Sequence, residues 1–95
     1  MELILTKKAK NDIRKASAWY NKKQQDLGEK FQATIFKELD YIAMNPEIYP
    51  FRYLEVRSAI VSVFPYMIHY YIDSESNQVI AFGIMHTSLS PKKWK

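Results

Sequence analysis

Two stretches of the chain carry apolar residues at helical spacing, and a short polar connector separates them. In the first stretch, at about residues 7–22, the apolar positions are Ala9, Ile13, Ala16 and Tyr20. In the second, apolar residues recur at near-helical spacing across residues 27–44. Because positions three and four apart line one face of a helix, each stretch predicts an amphipathic helix. The polar connector at residues 21–26 predicts that they form an antiparallel hairpin.

From residue 53 onward the pattern becomes that of strands. Three runs are predicted at about residues 57–64, 67–73 and 78–86, and a short strand at residues 2–5 precedes the first helix. Pro65 separates the first two runs and a polar segment at residues 73–77 separates the second two. Both interruptions are compatible with hairpin turns. The sequence therefore predicts an α+β fold with the helix hairpin packed on an antiparallel sheet.

Two residues mark the ends of the predicted helices. Thr6 is suited to cap the first helix, because its hydroxyl can accept hydrogen bonds from free backbone amides. Pro46 disfavours helical geometry in the residue before it and lacks an amide donor, so the second helix must end near Met44 or Asn45. Between Pro46 and Pro50 we expect a rigid, extended passage.

The composition limits the class of protein. At 95 residues the chain is predicted to form a single domain over residues 1–95, and its 47% of hydrophobic residues suffices for a core. Cysteine is absent, which excludes disulfides, Cys-based zinc sites and thiol nucleophiles. The first residues contain only a short apolar stretch, too short for a signal peptide or a membrane span. We therefore expect a cytoplasmic protein with no membrane partner.

The net charge of +4 permits nucleic-acid or acidic protein partners without selecting one. No Lys or Arg occurs between Arg57 and Lys92, so the positive potential of this half gathers near Arg57 and at the tail. The tail interleaves Lys92 and Lys93 with Trp94, a combination that suits phosphate contact and base stacking. The alternative is a short basic end that is simply solvated.

Few residues are candidates for chemistry. His86 ends the last strand and His69 lies within a strand, at a spacing that fits no common metal motif, so we expect no metal ion and no cofactor. An exposed His86 could transfer protons, or it could only hydrogen-bond the next loop. Arg57 could bind a phosphate or only pair with Glu55. Tyr66 could stack on a ligand or pack in the sheet.

Several short motifs occur in a characteristic order. They are Trp19-Tyr20, Leu27-Gly28 with Phe31, Asn45-Pro46 with Tyr49-Pro50, Phe64-Pro65-Tyr66, His86-Thr87-Ser88 and Pro91-Lys92-Lys93-Trp94. In this order the chain resembles the RelE/ParE-type toxins of bacterial type II toxin–antitoxin systems, the plasmid stabilisation protein family, over nearly its whole length. The resemblance implies a RelE-like fold, in which an N-terminal strand and a two-helix hairpin pack on a curved antiparallel sheet of three to five strands.

The resemblance also implies two mechanisms. RelE-like members cut mRNA in the ribosomal decoding site, whereas ParE-like members poison DNA gyrase. Nuclease members tend to carry arginines where this chain has Met67 and where it has Ser88 and Leu89. A donor positioned on transition-state charge is typically worth about 2.7–4 kcal/mol. The absence of both arginines therefore favours a gyrase inhibitor, which is not an enzyme, over a ribosome-dependent mRNA endoribonuclease; a non-toxic interaction module is the third alternative.

The resemblance further implies a cognate antitoxin that wraps and neutralises the toxin, in a toxin–antitoxin hetero-oligomer. We expect the antitoxin to contact four aromatic residues: Trp19, Tyr20, Phe36 and Tyr41. The target, gyrase or ribosome, is expected to contact Arg57, Tyr66, His86, Lys92, Lys93 and Trp94. If the protein is a nuclease, Arg57 and His86 are the expected catalytic residues.

Overall fold

The computed structural model describes residues 1–88. Its elements follow in the order β1 (Glu2–Leu5), α1 (Lys7–Lys23), α2 (Leu27–Met44), β2 (Phe51–Tyr53), β3 (Val56–Ile60), β4 (Tyr66–Asp73) and β5 (Gln78–His86). This confirms the predicted α+β order of elements. Within these residues, neither helix is both long enough and apolar enough to cross a membrane.

Local contacts explain where α1 begins and how closely the two helices pack. The Thr6 hydroxyl accepts a hydrogen bond from the Ala9 amide at 3.1 Å, which caps α1 as predicted. At the crossing with α2, a Cβ on Gly28 would overlap the carbonyl oxygen of Ser17. The Gly28 amide donates instead to the side chain of Asn21 at 2.7 Å. Glycine is therefore required where the hairpin closes.

The five strands form one mixed sheet in the order β1-β5-β4-β3-β2. The antiparallel arrangement predicted from the sequence holds for β2 to β5. At the edge, however, β1 runs parallel to β5, with Glu2 opposite Gln78 and Leu5 opposite Ala81. The sequence contains no turn that joins these two strands, so it gave no information on their relative direction.

The connection between β3 and β4 differs from the prediction. Extending β3 to residue 64 is wrong, because the strand ends at Ile60. Val63 adopts a positive φ of 74°, which is strained for a β-branched residue. The Phe64 amide donates to the Ser62 carbonyl at 2.8 Å, and the Val61 amide donates to the Tyr66 carbonyl at 2.9 Å. These bonds turn the chain before Phe64 and direct that ring into the core.

Both helices cover the same face of the sheet. The core cluster includes Phe31 and Ile35 of α2 together with Ile68 and Tyr70 of β4. Because side chains alternate along a strand, Met67 lies on the opposite side of β4, which we call the open face. The sheet therefore has one face that the helices cover and one face that they leave uncovered, the open face. In addition, the register between β4 and β5 shifts by one residue at Phe82, which forms a bulge.

Candidate functional site

A groove of about 620 Å³ lies between α1 and the end of β5. We call it the α1–β5 groove; its main side chains are Lys8, Asp12, Lys15 and Trp19 on the helix and Tyr66, Met85 and His86 on the sheet. It exists because β1 pairs with β5 only as far as Ala81. In the described structure, the last residues of β5 therefore have α1 rather than a strand along that edge.

Asp12 joins the two walls of the groove. Its carboxylate accepts a hydrogen bond from the Ile84 amide at 3.0 Å, on the edge of β5 that β1 leaves unpaired. The same oxygen accepts from Lys8 Nζ at 2.9 Å, four residues away on the helix. A charge-assisted bond to a backbone amide is stronger than a neutral one. Asp12 thus replaces a strand partner for β5 and brings a negative charge into the groove.

Aromatic rings form the floor of the groove. The Tyr66 ring lies 5.0 Å from the Phe31 ring and 6.2 Å from the Tyr20 ring, measured between centroids. Burial raises the pKa of Tyr66 above its ordinary value, and the nearby Tyr20 and Asp12 raise it further. The Tyr66 phenol therefore stays protonated at neutral pH and can donate a hydrogen bond, but it is a poor base.

His86 stands at the rim, with its ring 5.2 Å from that of Tyr66 and nearly perpendicular to it. Its Nδ1 accepts a hydrogen bond from the Ser88 amide at 3.1 Å and lies 2.7 Å from the Ser88 hydroxyl. A backbone amide can only donate, so the neutral ring carries its proton on Nε2. The hydrogen bond to the following turn is one of the two alternatives that the sequence left open for His86.

Trp19 supplies the largest exposed apolar surface on the helix wall. Its side chain is 54% exposed, and its ring packs edge-on against Tyr20 at 5.1 Å. Lys23 Nζ lies over the indole, 4.9 Å from its centroid. Exposed aromatic side chains beside an apolar groove are typical of protein-binding surfaces.

Arg57 lies far from this groove and is tied to the protein's own backbone. Its Nη1 donates to the carbonyl of Tyr49 at 2.6 Å and to that of Glu47 at 3.2 Å. Its guanidinium lies 4.1 Å over the Phe51 ring. These contacts hold the segment after α2 against β3. The predicted salt bridge with Glu55 is not among the ion pairs of residues 1–88.

The structure does not bring Arg57 and His86 together. Arg57 pairs with Tyr70 across β3 and β4, whereas His86 pairs with Tyr66 across β4 and β5. Four residues along one strand correspond to about 13 Å. The two side chains proposed as a catalytic pair therefore lie near opposite ends of the β3–β4 pairing. Of the described residues predicted to contact the target, only Tyr66 and His86 are neighbours.

The four aromatic residues predicted to contact an antitoxin do not form one patch. Trp19 and Tyr20 line the α1–β5 groove, whereas Tyr41 lines a separate depression with Thr34 and Lys37 on the far side of α2. Phe36 and Tyr41 are both exposed, but they are five residues apart and so about 140° apart around the helix. Only a partner that wraps around the hairpin can contact all four.

The two positions at which nuclease members tend to carry arginines can also be located in the structure. Met67, which stands where nuclease members tend to carry an arginine, is only 3% exposed and lies on the open face. The second such position comprises Ser88, the last described residue, and Leu89, which lies outside the described residues. Three residues predicted to contact the target, Lys92, Lys93 and Trp94, lie outside the described residues.

On the helix wall of the groove, Trp19 was selected from the sequence, but the charged residues Lys8, Asp12 and Lys15 were not. The spacing of Lys8 and Asp12 was the one available signal of an ion pair. The contact between Asp12 and Ile84 joins residues 72 apart, which no local pattern reports. Within residues 1–88, no three His, Cys, Asp or Glu side chains converge as a metal site.

Comparison with known proteins identifies a family and two similar folds. Residues 3–90 match the family described as ParE toxin of type II toxin-antitoxin system, parDE. A chromosomal ParDE TA system from P. aeruginosa superimposes with a TM-score of 0.81 at 16% identity, covering 93% of this chain and 97% of that one. The isolated E. coli RelE toxin superimposes with a TM-score of 0.71 at 17% identity, covering 98% and 90%. No curated protein sequence matches.

Proposed function

Because this chain belongs to the ParE toxin family of type II toxin–antitoxin systems, we propose that it inhibits DNA gyrase and that a cognate antitoxin neutralises it. The observation that carries the choice of gyrase is the position of Met67. Where an RNA-cutting relative would present a guanidinium, this chain buries a thioether within the sheet. A thioether cannot donate a hydrogen bond to a phosphate oxygen.

Arg57 supports the same choice, because its side chain already has a structural role. Bonds from Nη1 to two backbone carbonyls fix the guanidinium beneath the segment after α2. To reach a scissile phosphate near His86, Arg57 would have to break these bonds and cross about 13 Å of sheet. Catalysis by positioned charge requires donors that are already in place. We therefore propose that Arg57 and His86 do not act together as a cleavage site.

The α1–β5 groove suits a protein segment better than a phosphodiester. Lys8 and Lys15 lie along it, but Lys8 is neutralised by Asp12. The Asp12 carboxylate would repel a phosphate that entered beside it. The remaining lining is largely aromatic and aliphatic, with Trp19 exposed. An amphipathic segment can bury its apolar side there and place a polar side near Lys15.

We place the antitoxin in this groove, with Trp19 and Tyr20 as its main contacts. Phe36 and Tyr41 are the contacts expected of the part that continues around α2. Tyr66 and His86 are the described residues proposed to meet gyrase, and Lys92, Lys93 and Trp94 remain predicted parts of that contact. Because Tyr66 and His86 also line the groove, an antitoxin seated there covers them. Neutralisation then follows from simple exclusion of the target within the toxin–antitoxin complex.

The experiment that tests the proposal compares two targets in parallel. Purified toxin is added to gyrase with relaxed plasmid and ATP, and separately to ribosomes translating a defined mRNA whose ends are mapped by primer extension. We expect supercoiling to stop, or cleaved plasmid to accumulate, while the mRNA stays intact. Codon-phased mRNA cuts with normal supercoiling would identify the ribosome-dependent endoribonuclease instead.

A parallel experiment in cells tests the antitoxin. The toxin gene is induced alone and together with the small gene expected beside it. We expect growth to stop with DNA damage signalling in the first case and to continue in the second. Unchanged growth in both cases, with the toxin present at equal amounts, would identify a non-toxic interaction module.

A further inference from the structure

The positive charge of the chain is concentrated on one helix. α1 carries seven Lys or Arg side chains and one acid, a net charge of +6, although the whole chain has only +4. The remainder of the sequence is therefore slightly acidic. All seven basic side chains of α1 are exposed. The modest net charge of the chain conceals a strongly cationic helix.

Six of the seven basic residues form three pairs: Lys7-Lys8, Arg14-Lys15 and Lys22-Lys23. Lys8 and Lys15 line the groove and Lys23 lies over Trp19, so we give the name α1 crest to the side of α1 that carries the other four cations, Lys7, Lys10, Arg14 and Lys22. Separations of seven and eight residues along a helix correspond to about 10.5 and 12 Å, so the pairs recur at roughly every second turn. Neighbouring residues differ by about 100° around the axis, so the first member of each pair lies on the crest and the second turns toward the groove side. The positive charges therefore recur along the whole length of α1.

Most of these charges have no acidic neighbour. Among residues 1–88, the one ion pair of α1 joins Lys8 to Asp12, on the groove side of the helix. Arg14 donates to the side chain of Asn11, and Lys23 lies over Trp19. Seven cations compressed on one short helix repel each other, and an external polyanion would relieve that repulsion.

The residue types on the crest identify the kind of polyanion. Between the basic pairs the crest carries Asn11 and the small Ala18, and it has no large apolar side chain. A partner helix or strand needs apolar anchors, which the α1–β5 groove offers and the crest does not. Contacts from Lys, Arg and Asn are those that proteins make with phosphate oxygens. We infer that the α1 crest is a binding surface for the phosphate backbone of nucleic acid.

This inference goes beyond the proposed inhibition of gyrase and does not depend on the identity of the target. Each phosphate that a cation neutralises releases counterions, which makes binding to duplex DNA fall with salt at a slope of about −0.9 per contact. With up to four contacts the logarithmic slope is about −3.6, so raising the salt from 50 to 200 mM weakens binding by about 150-fold.

The test measures fluorescence anisotropy of a labelled 20-base-pair DNA duplex and of a 20-nucleotide RNA, titrated with the full-length toxin at 50, 100 and 200 mM KCl. The variant is Arg14→Glu with Lys22→Glu, two crest residues outside the groove. We expect it to weaken binding about 100-fold at 50 mM KCl, because two contacts of this strength are lost. Tighter binding of the duplex than of the RNA, or the reverse, tells which nucleic acid is preferred.

The control makes the same change of charge on the other helix, as Lys30→Glu with Lys37→Glu. It should weaken binding at most a few-fold. Arg14→Gln with Lys22→Gln, which avoids new acids, should reduce the salt slope by about 2. Absence of binding at 50 mM KCl overturns the inference, and so does an equal loss in the α2 control. Loss of antitoxin binding in the crest variant, with nucleic-acid binding unchanged, would make the crest a protein-docking surface and also overturn it.

Discussion

The first residue of β4 and the far end of its pairing with β3 lie beside the polar residues that the sequence singled out, and the surroundings of these residues differ. At one end, Tyr66 and His86 border an open groove beside Trp19. At the other, Arg57 is bonded to two backbone carbonyls and covered by Phe51. The side-chain type alone did not indicate these surroundings. What sets Arg57 apart is that two backbone carbonyls already accept hydrogen bonds from its Nη1.

Tyr70 strengthens this contrast at the Arg57 end. Its hydroxyl donates to the Pro46 carbonyl at 2.8 Å, close to the carbonyls that Arg57 binds. Burial raises the pKa of Tyr70 to about 12, although Arg57 lowers it in part. The phenol is therefore a fixed donor at neutral pH. Tyr70 and Arg57 together hold the proline segment on the sheet, which leaves the groove end to bind partners.

The largest expected effect is on antitoxin binding at the groove end. Replacing Trp19 with alanine removes an exposed aromatic anchor, which at a central contact costs about 3 kcal/mol, or about 150-fold in Kd. Isothermal titration calorimetry with the antitoxin measures this loss. The matched change at the Arg57 end is Leu54→Ala, because Leu54 is 82% exposed. A strong effect of Leu54→Ala with none of Trp19→Ala would reverse the assignment of the two ends.

The next effect is on stability at the Arg57 end. Arg57→Ala removes two hydrogen bonds from a charged donor and the contact with Phe51, which we expect to lower the free energy of unfolding by about 2 kcal/mol. Thermal unfolding should show a fall in Tm on the order of 10 °C for a chain of this size. The exposed Arg14→Ala on α1 is the control and should change stability by less than about 0.5 kcal/mol. An unchanged Tm for Arg57→Ala would show that Arg57 is free for another role.

A pH dependence is expected from the middle of β4. Burial, with smaller contributions from Arg52 and Lys8, lowers the pKa of His69 to about 4. In the unfolded chain this ring gains its proton near pH 6.5. The stability is therefore fully present above that pH and falls as the pH drops from 6.5 toward 4, by between about 1 and 2 kcal/mol at pH 5.

Urea unfolding at pH 7 and pH 5 measures this loss. The variant His69→Gln keeps polar groups but cannot titrate, so its stability should change less between the two pH values. If the wild type and His69→Gln lose stability equally, other groups cause the pH dependence and His69 is not the source.

The smallest effect is expected at Asp12. Asp12→Ala leaves the Ile84 amide without its acceptor and frees Lys8, at a cost of about 1 kcal/mol. Asp12→Asn retains an acceptor and should recover about half of that loss. Chemical denaturation at neutral pH provides the comparison. Equal stability of all three proteins would mean that the edge of β5 does not need Asp12.

Local signals predicted the helices well and the sheet edges less well. Thr6 and Pro46 act within one or two residues, so both helices were predicted to within one residue of their observed ends. The parallel direction of β1 and the early end of β3 depend on partners distant in sequence. The turn at Val63 also places a β-branched residue in a strained conformation, which propensity argues against.

The site was predictable in its parts and not in its assembly. His86, Tyr66 and Trp19 were each selected from the sequence, but their common groove requires α1 to lie along the free edge of β5. The contact between Asp12 and Ile84 is part of that arrangement. No local pattern indicated that the carbonyls of Glu47 and Tyr49 accept hydrogen bonds from Arg57, the residue selected as a phosphate ligand.

One measurement tests the division between the two ends most directly. Hydrogen–deuterium exchange of the toxin, alone and with its antitoxin, reports the groove end and the Arg57 end in a single experiment. We expect slower exchange in peptides covering Trp19 and residues 84–88, with no change in residues 46–57. Slower exchange in residues 46–57, with none around Trp19 and His86, would contradict it.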